Sequence, residues 1–318
     1  MKIFDFNEIS SLRILPESAL EWVREAFMMK SDVCLPPKIS IKQNGNVFFN
    51  TMPCLIPQLN RFGVKEVSRF PSRVPSLQSQ ILLYEASSGN LLSLMDATWI
   101  TCMRTGAVAA TAVRQFEKSD ASVYAFVGLG NTARATMMCL VPWFKKKKSS
   151  TKIKLFAYKK QELMFIQRFN DVENVQFEVV YDAKSLVENT DVLISCVTSF
   201  DSLFCEDKYY GDGMLLVPVH TRGFQNCDLF FDKIFADDKN HVSNFANFAK
   251  FKKFGEISDV LIGKDVGRAN DSERIISYNI GIALHDVFFA SKIYDMLNNA
   301  DNDSDFTEPS IPTGKFWM

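Results

Sequence analysis

The sequence is poor in the features that mark metal-binding, disulfide-linked or membrane proteins. It has only three histidines, His220, His241 and His285, and no two of them have metal-ligand spacing. The seven cysteines are scattered, with no Cys-x-x-Cys pair. No apolar run approaches the roughly 20 residues that cross a bilayer, and "MKIFDFNEIS" lacks the basic and apolar regions of a signal peptide. These absences predict no metal site, no membrane span and reduced thiols in a cytoplasmic protein.

The charge balance sets a further limit. Lys and Arg number 36 and Asp and Glu number 37, so the formal net charge is -1. Without a positive field the chain has little to attract nucleic acid or an anionic membrane surface, and neither is predicted as a partner. Hydrophobic residues make up 47% of the chain, which is enough to build the cores of a globular protein.

Two kinds of pattern follow one another along the chain. Up to "LLSLMD" the sequence contains one amphipathic helix, Pro16–Lys30, and several segments that alternate apolar and polar residues, which predicts a mostly antiparallel sheet. Beyond it, apolar strand candidates from Val123–Val127 to Lys233–Ala236 are separated by helical segments. Strands that alternate with helices predict a parallel, doubly wound sheet.

A helix rich in small residues connects these two parts. The stretch "DATWITCMRTGAVAATAVRQF" begins at Asp96, a candidate N-cap, and includes Gly106 and several alanines. Small residues let another backbone approach closely. These small residues would allow either tight packing against another element or the close approach of a bound ligand.

The stretch "VYAFVGLGNTARATMM" reads as strand, glycine turn and helix. Gly128 permits the tight turn, Gly130 lets backbone N–H groups approach a pyrophosphate, and Ala133 allows close helix packing. Asn131 and Thr132 open the helix, whose N-terminus carries partial positive charge. A purely structural corner is the alternative. The strand before the turn and the helix after it favour a dinucleotide site, and the predicted fold class is α/β with a Rossmann-type doubly wound parallel sheet.

The tip of the next strand bears on which dinucleotide is bound. An acid there would bind a ribose 2′-hydroxyl, but this chain has Ala157 and Tyr158, followed by Lys159 and Lys160. The two lysines could meet a 2′-phosphate, or they could be an ordinary solvated pair. The cofactor predicted is NAD(P), with NADP(H) preferred.

Several motifs together resemble the ornithine cyclodeaminase/mu-crystallin family. "MDATWITCMRTGAVAATAVRQF" is similar to the family's Met-Asp-x-x-x-(Ile/Leu)-Thr-x-x-Arg-Thr-(Gly/Ala)-Ala pattern, which a strand and the G-x-G-x-x-A turn follow. "NTMPCL", "GVKEVSRFP" and "IGKDVGRANDSERIISYNIGIALHD" agree as well. The resemblance extends over nearly the whole chain.

The resemblance implies two lobes and a reaction class. It places an NAD(P)-binding Rossmann domain at 119–275, and a mostly antiparallel α+β domain at 1–118 with 276–318 that binds substrate and forms a homodimer. It implies an oxidoreductase that transfers hydride at the amine- or imine-bearing carbon of an amino acid, amine or cyclic imine. Ornithine cyclodeaminase proper, which converts ornithine to proline and ammonia, is one alternative. An NADPH-binding or accessory protein with little turnover is another.

The resemblance also assigns substrate residues. Arg104 stands at the family's substrate-carboxylate arginine, and a guanidinium fork suits two-point binding of a carboxylate. Lys65 stands at the lysine near the substrate carbonyl or imine, where a buried lysine of lowered pKa could transfer a proton. Lys38 lies near a second carboxylate-binding position that is usually Arg. Met52 and Thr101 are expected to line the same pocket.

Further cofactor residues follow from the same resemblance. Asn279-Ile280-Gly281 corresponds to a Ser-Val-Gly stretch near the nicotinamide. The residues after the fourth strand of the Rossmann lobe should run beside the cofactor. The additional candidates are Thr105, Ser195, Val197, Thr198, Asn279 and Gly281.

One family position is not kept. The family's acid/base aspartate should lie in "VPVHTRGFQNCDLF", where spacing back from Asp228 puts Arg222 instead. Arginine stays protonated and cannot activate water. His220, with an ordinary pKa near 6.5, could take over the acid/base work, Arg222 could bind a second carboxylate or phosphate, or both could simply pack around the cofactor loop. The loss speaks against an authentic cyclodeaminase.

Overall fold

The computed structural model describes residues 1–44, 46–197 and 200–299. Within them the strands of a first sheet are β1 (Lys2–Phe4), β2 (Ile39–Gln43), β3 (Val47–Ile56), β4 (Arg61–Arg69), β5 (Leu77–Glu85) and β6 (Leu91–Asp96). Those of a second sheet are β7 (Val123–Val127), β8 (Thr151–Phe156), β9 (Val175–Val180), β10 (Val192–Ser195), β11 (Leu215–Pro218), β12 (Lys233–Ala236), β13 (Phe254–Glu256) and β14 (Ile275–Tyr278). The helices are α1 (Phe6–Ser11), α2 (Pro16–Met28), α3 (Thr98–Phe116), α4 (Asn131–Phe144), α5 (Gln161–Phe169), α6 (Ala183–Val187), α7 (Cys227–Phe230), α8 (Lys239–Val242), α9 (Ile257–Leu261) and α10 (Ala283–Asn299).

The chain divides into two compact units. The first comprises Met1–Arg13, Asp32–Thr101 and the chain from Asp286 onward; the second comprises Ile14–Ser31 and Cys102–His285.

The first unit is built on a six-stranded sheet in the order β1-β6-β5-β4-β3-β2. Its pairs are antiparallel except that β1 runs parallel to β6. Alternate residues of β3 and β4 are buried, as the two-residue period of a strand dictates. Gly63 lies on the buried side of β4, where a Cβ would come within 2.7 Å of Val287 in α10. The glycine therefore lets this helix pack directly on the sheet.

The second unit is a doubly wound sheet of eight parallel strands, in the order β13-β12-β14-β11-β10-β7-β8-β9. Strands β7, β10, β11, β12 and β14 are almost wholly buried, as strands covered on both faces must be. The predicted α/β fold class is confirmed. Because β7 and β10 are neighbours, the strand order reverses between them, which is the place where open α/β sheets bind ligands.

The small-residue helix α3 packs tightly in the second unit. A Cβ on Gly106 would lie 2.6 Å from the backbone carbon of Ala135 in α4. The alanines of α3 that follow Gly106 are buried. Of the two explanations for the small residues, close helix packing is the one that this contact supports at Gly106.

The compact units do not coincide with the domain boundaries expected from sequence. Helix α2 and the part of α3 from Cys102 on group with the eight-stranded sheet. Strand β14, which begins at the predicted boundary of 275/276, lies between β11 and β12. The strand is short and buried on both faces, and such a run carries no alternation by which a strand is recognised.

Candidate active site

The turn between β7 and α4 lies at the point where the strand order reverses. Gly128 has a φ of +80°, and a Cβ there would lie 2.7 Å from the backbone of Cys196 and Val197, just after β10. Gly130 is different: a Cβ there would meet no atom of the described residues within 4 Å. The fold itself therefore requires Gly128, whereas the open space beside Gly130 is what a close-lying pyrophosphate needs.

The N-terminus of α4 has no side-chain cap among the described residues. Gly130 is the N-cap residue, and no side-chain capping hydrogen bond is formed there, so the first-turn N–H donors and the positive helix end can meet an anion. Asn131 is exposed, Thr132 is half-buried and Ala133 is buried against the sheet. Arg134 follows in the same turn, and its buried Nε has no hydrogen-bond partner in the described structure. These residues fit a dinucleotide phosphate.

The tip of β8 presents cations and no acid to solvent. Tyr158, Lys159 and Lys160 are all exposed. Both lysines have left-handed backbone conformations, with φ values of 49° and 63°, which are uncommon for residues other than glycine. The nearby acid Glu162 is buried, and its carboxylate accepts from the N–H of Tyr158 at 3.0 Å. Glu162 therefore fixes the turn and is not displayed for a ribose.

Ser195 and His220 form a buried pair at the ends of neighbouring strands. Ser195 ends β10 and His220 follows β11, and Ser195 Oγ lies 2.6 Å from His220 Nε2. Burial lowers the pKa of His220 from 6.5 to about 4, and a weaker backbone contribution from Arg222 acts the other way. The imidazole is therefore neutral near pH 7 and makes a weak base.

Arg222 and His220 face different surroundings although they are close in sequence. The His220 ring packs edge-on against Phe200, with centroids 5.6 Å apart. Arg222 is exposed. The structure therefore places the histidine among apolar rings and the arginine at the surface.

A buried arginine lies beside the turn that leads into α10. Arg104 in α3 is buried, and its guanidinium fills the space that a Cβ at Gly281 would occupy. Gly281 has a φ of +92°, and its N–H donates to the carboxylate of Asp237. The sequence-predicted residues Arg104 and Gly281 are therefore brought together, with Asp237 directly behind the glycine.

Asn279 in the same turn has a spare acceptor. Its backbone N–H donates to Pro218 and its Nδ2 donates to Ser277, each at 3.0 Å. Its Oδ1 is buried with no hydrogen-bond partner among the described residues. Such an orphaned amide oxygen is costly to bury, and a bound group with an N–H donor would satisfy it.

In the first unit, Lys65 forms a fully buried ion pair. Its Nζ lies 2.7 Å from a carboxylate oxygen of Asp286, and the two side chains are 1% and 0% exposed. Met52 is the cross-strand partner of Lys65 and is buried. The carboxylate is therefore placed to compensate the charge of a buried ammonium.

The remaining predicted substrate and cofactor residues take up less enclosed positions. Thr101 Oγ1 lies 2.9 Å from Ser79 Oγ. Lys38 is half-buried directly before β2, and Thr105 is half-buried beside Arg104 in α3. Val197 is half-buried against Gly128. Thr198 lies outside the described residues.

Three functional candidates were not predicted from sequence. Asp286 stands in the apolar run "ALHDVFFA", where a lone acid was a detectable sign of a buried partner. Asp237, in "ADDKN", looks like a residue of a polar loop. Arg134 directly follows the glycine motif and was passed over.

Within residues 1–44, 46–197 and 200–299, no group of three or more His, Cys, Asp or Glu side chains is placed to hold a metal ion. No helix in that part of the chain is both long and apolar enough to cross a membrane.

Comparison with known proteins gives the relationship of the chain. Nodulation efficiency protein NfeD of Rhizobium meliloti is 26% identical over 283 residues, covering 82% of this chain and 83% of its own. Alanine dehydrogenase of Archaeoglobus fulgidus is 23% identical over 309 residues, covering 91% and 92%. The structure of Thermococcus litoralis Δ1-pyrroline-2-carboxylate reductase, in complex with NADH and L-proline, has the same fold, with a TM-score of 0.84 at 20% identity over 94% of this chain and 98% of that one.

The family comparison covers most of the sequence. The model of the ornithine cyclodeaminase/mu-crystallin family matches residues 3–301, in agreement with the motifs on which the resemblance was based. The chain therefore belongs to the ornithine cyclodeaminase/mu-crystallin family.

Proposed function

We propose that this chain is an NAD(P)H-dependent reductase of imines that carry a carboxylate, interconverting such an imine with the corresponding amino acid. As a member of its family it is an NAD(P)-dependent oxidoreductase or cyclodeaminase. The observation that carries the narrower proposal is the buried Arg104 guanidinium beside Gly281, in a chain that has Arg222 in place of the family's acid/base aspartate.

The cofactor is a nicotinamide dinucleotide, and the chain offers groups for each part of it. The open backbone at Gly130, the uncapped first turn of α4 and Arg134 would hold the pyrophosphate. Asn279 Oδ1 would accept from the carboxamide of the nicotinamide. When bound, the reduced nicotinamide supplies the hydride.

Arg104 would hold the substrate carboxylate. A planar guanidinium binds a carboxylate with two parallel hydrogen bonds, and such a bond orients the neighbouring carbon as well as binding it. Replacing Arg104 by Leu should lower kcat/KM about 100-fold, since losing a charge-assisted hydrogen bond costs about 3 kcal/mol.

Lys65 would supply the proton. Reduction of a carbon–nitrogen double bond adds a hydride to carbon and a proton to nitrogen, so the reaction needs an acid. The ammonium of Lys65, paired with Asp286 at 2.7 Å, would be that donor. His220 is neutral near pH 7 and would position Ser195, while the exposed Arg222 would attract a second carboxylate or phosphate.

The direction of reaction follows from the residue at position 222. Cyclodeamination and oxidative deamination require water to attack an iminium, which a carboxylate assists by taking a proton. Arginine cannot do this. Imine reduction needs no water activation, so it is the reaction of this family that the replacement leaves intact.

Three further properties are part of the proposal. Lys159 and Lys160 are exposed, and no exposed acid lies between β8 and these lysines. They support a preference for NADPH, whose 2′-phosphate they could bind. None of the seven cysteines, all of which lie in the described residues, forms a disulfide, which supports a cytoplasmic location. The edge strand β2 exposes Ile39 and Ile41 to more than 60%, and an apolar edge strand of this kind supports a homodimer.

The experiment is an NADPH oxidation assay on a panel of imines. Δ1-pyrroline-2-carboxylate and 2-oxo acids with ammonia are tested as carboxylate substrates, and ornithine with NAD+ tests cyclodeamination. Turnover of a carboxylate imine that falls in Arg104→Leu, but not in Arg114→Leu from the exposed face of the same helix, is the expected result. Proline release from ornithine would overturn it, and tight NADPH binding without turnover on any substrate would favour the accessory-protein alternative.

A further inference from the structure

Two adjacent acids after β12 are both buried but have different partners. Asp238 is 8% exposed, caps α8 by accepting from the Asn240 N–H and pairs with Lys30 at 3.0 Å. Asp237 faces inward and is fully buried. The two are adjacent in sequence, and it is Asp237 that accepts from the Gly281 N–H, so Asp238 provides the matched control carboxylate.

The buried carboxylate of Asp237 holds the turn at Gly281. One of its oxygens accepts from the Gly281 N–H, and the other lies 3.7 Å from Nδ1 of His241. Its own N–H donates to Tyr278, the last residue of β14, at 3.1 Å. Burial alone would raise the pKa of Asp237, but His241, the Gly281 N–H and His285 outweigh it and lower the pKa. An ionised carboxylate is a strong acceptor for a backbone N–H.

The clamped glycine forms one wall for Arg104. The φ of +92° at Gly281 disfavours any residue with a Cβ, and the guanidinium lies in the space such a Cβ would fill. A shift of this backbone would therefore remove the surface against which the guanidinium rests. Charged forks bind carboxylates well only when they are held in one geometry.

We infer that Asp237 is a positioning residue for substrate-carboxylate recognition: by clamping the Gly281 turn it fixes the Arg104 guanidinium in the orientation that receives a carboxylate. The inference rests on the proposed function. It predicts a role that depends on the substrate, because only substrates with a carboxylate use Arg104.

The test compares two imines with the full-length enzyme and NADPH. Δ1-pyrroline-2-carboxylate carries the carboxylate and 2-methyl-1-pyrroline lacks it. In Asp237→Ala, kcat/KM for the carboxylate imine should fall at least about tenfold more than for the imine without it, chiefly through a higher KM. Asp237→Asn keeps an acceptor oxygen and should recover part of the loss. Asp238→Asn, the matched control, should leave the ratio of the two substrates unchanged.

A variant of Gly281 tests the same connection between Asp237 and Arg104. Gly281→Ala puts a methyl group into the guanidinium, so it should shift the same substrate ratio. Combined with Asp237→Ala, its effect should be less than the product of the two single effects, because both act through Arg104.

The outcomes separate the inference from the proposed function. Equal losses on both imines in Asp237→Ala would mean a merely structural role and would overturn the inference, as would full multiplicativity in the double variant. No oxidation of NADPH by the unmodified protein with any imine would instead count against the proposed function. In that case the binding of L-proline and pyrrolidine, measured by calorimetry in the same variants, still tests the inference: a loss confined to L-proline supports it, and equal losses refute it.

Discussion

The buried ion pair of Lys65 and Asp286 allows a quantitative prediction about stability. Asp286→Asn removes the anion and leaves an ammonium that is only 1% exposed. Breaking a buried pair by removing one partner typically costs about 3 to 5 kcal/mol. With an unfolding entropy of about 2.1 cal/mol/K per residue over the whole chain, that cost corresponds to a fall in Tm of about 4 to 8 °C.

The control for this change lies in the same helix. Asp295 pairs with Arg61 at 3.1 Å, but its side chain is 57% exposed, and exposed pairs contribute about 0 to 1 kcal/mol. Asp295→Asn should therefore shift Tm by less than about 2 °C. Both variants are measured by differential scanning calorimetry, with imine reduction as a second readout.

A third variant separates a lost attraction from an uncompensated charge. In the double variant Lys65→Met with Asp286→Leu, both charges are replaced by apolar side chains. Its Tm should be higher than that of Asp286→Asn, because neither charge of the pair is left buried, but it should not reduce imines. Equal Tm values for Asp286→Asn and Asp295→Asn would refute the reasoning. So would a double variant less stable than Asp286→Asn.

Three further predictions concern the second unit. Gly130→Ala should weaken NADPH binding, measured by fluorescence titration, and leave Tm unchanged. Gly128→Ala should lower Tm, because its Cβ would clash with backbone atoms 2.7 Å away. The same result for both variants would contradict this distinction. Gly106→Ala should lower Tm as well, since overpacking against α4 costs about 1 to 3 kcal/mol and exceeds the gain in helix propensity; a higher Tm would count against it. His220 has its pKa lowered from 6.5 to about 4, so its contribution to stability is complete above pH 6.5 and is lost toward pH 4, by about 3 kcal/mol. Asp228 has its pKa raised from 3.8 to about 6, mainly by burial, so its contribution is complete below pH 3.8 and is lost as the pH rises through 6. As the pH falls from 7 to 4, the Tm of His220→Phe should therefore rise relative to that of the unmodified protein, and the relative Tm of Asp228→Asn should fall. Parallel pH profiles of Tm for the variants and the unmodified protein would exclude this account.

Much of the fold could be predicted from local pattern. The strand at Lys233–Ala236 was predicted at its observed bounds, because a short apolar run between polar loops leaves little choice of register. Strand β13 was missed, since "FGE" is half-buried and has no apolar pattern. Strand β14 was missed because all four of its residues are buried and they show no alternation of apolar and polar side chains.

The candidate site was predictable where one residue carries the signal by itself. Glycines in a turn and an arginine in a small-residue helix can be recognised one at a time, and Gly128, Gly130 and Arg104 were. Partners far apart in the chain cannot be recognised in this way. Nothing local links Lys65 to Asp286 or Asp237 to Gly281, because each pair is created by packing that a single sequence does not display.

The position of β14 has a consequence for how the protein is made. Of the described strands it is the last to be synthesised, yet it lies between β11 and β12, so until residue 278 has left the ribosome these two strands have unpaired edges. The first unit likewise needs its segment that begins at Asp286. Each unit therefore depends on residues synthesised after most of its other strands, so incomplete chains expose strand edges that can pair with one another, and chaperone dependence during synthesis is an expected trait of this protein.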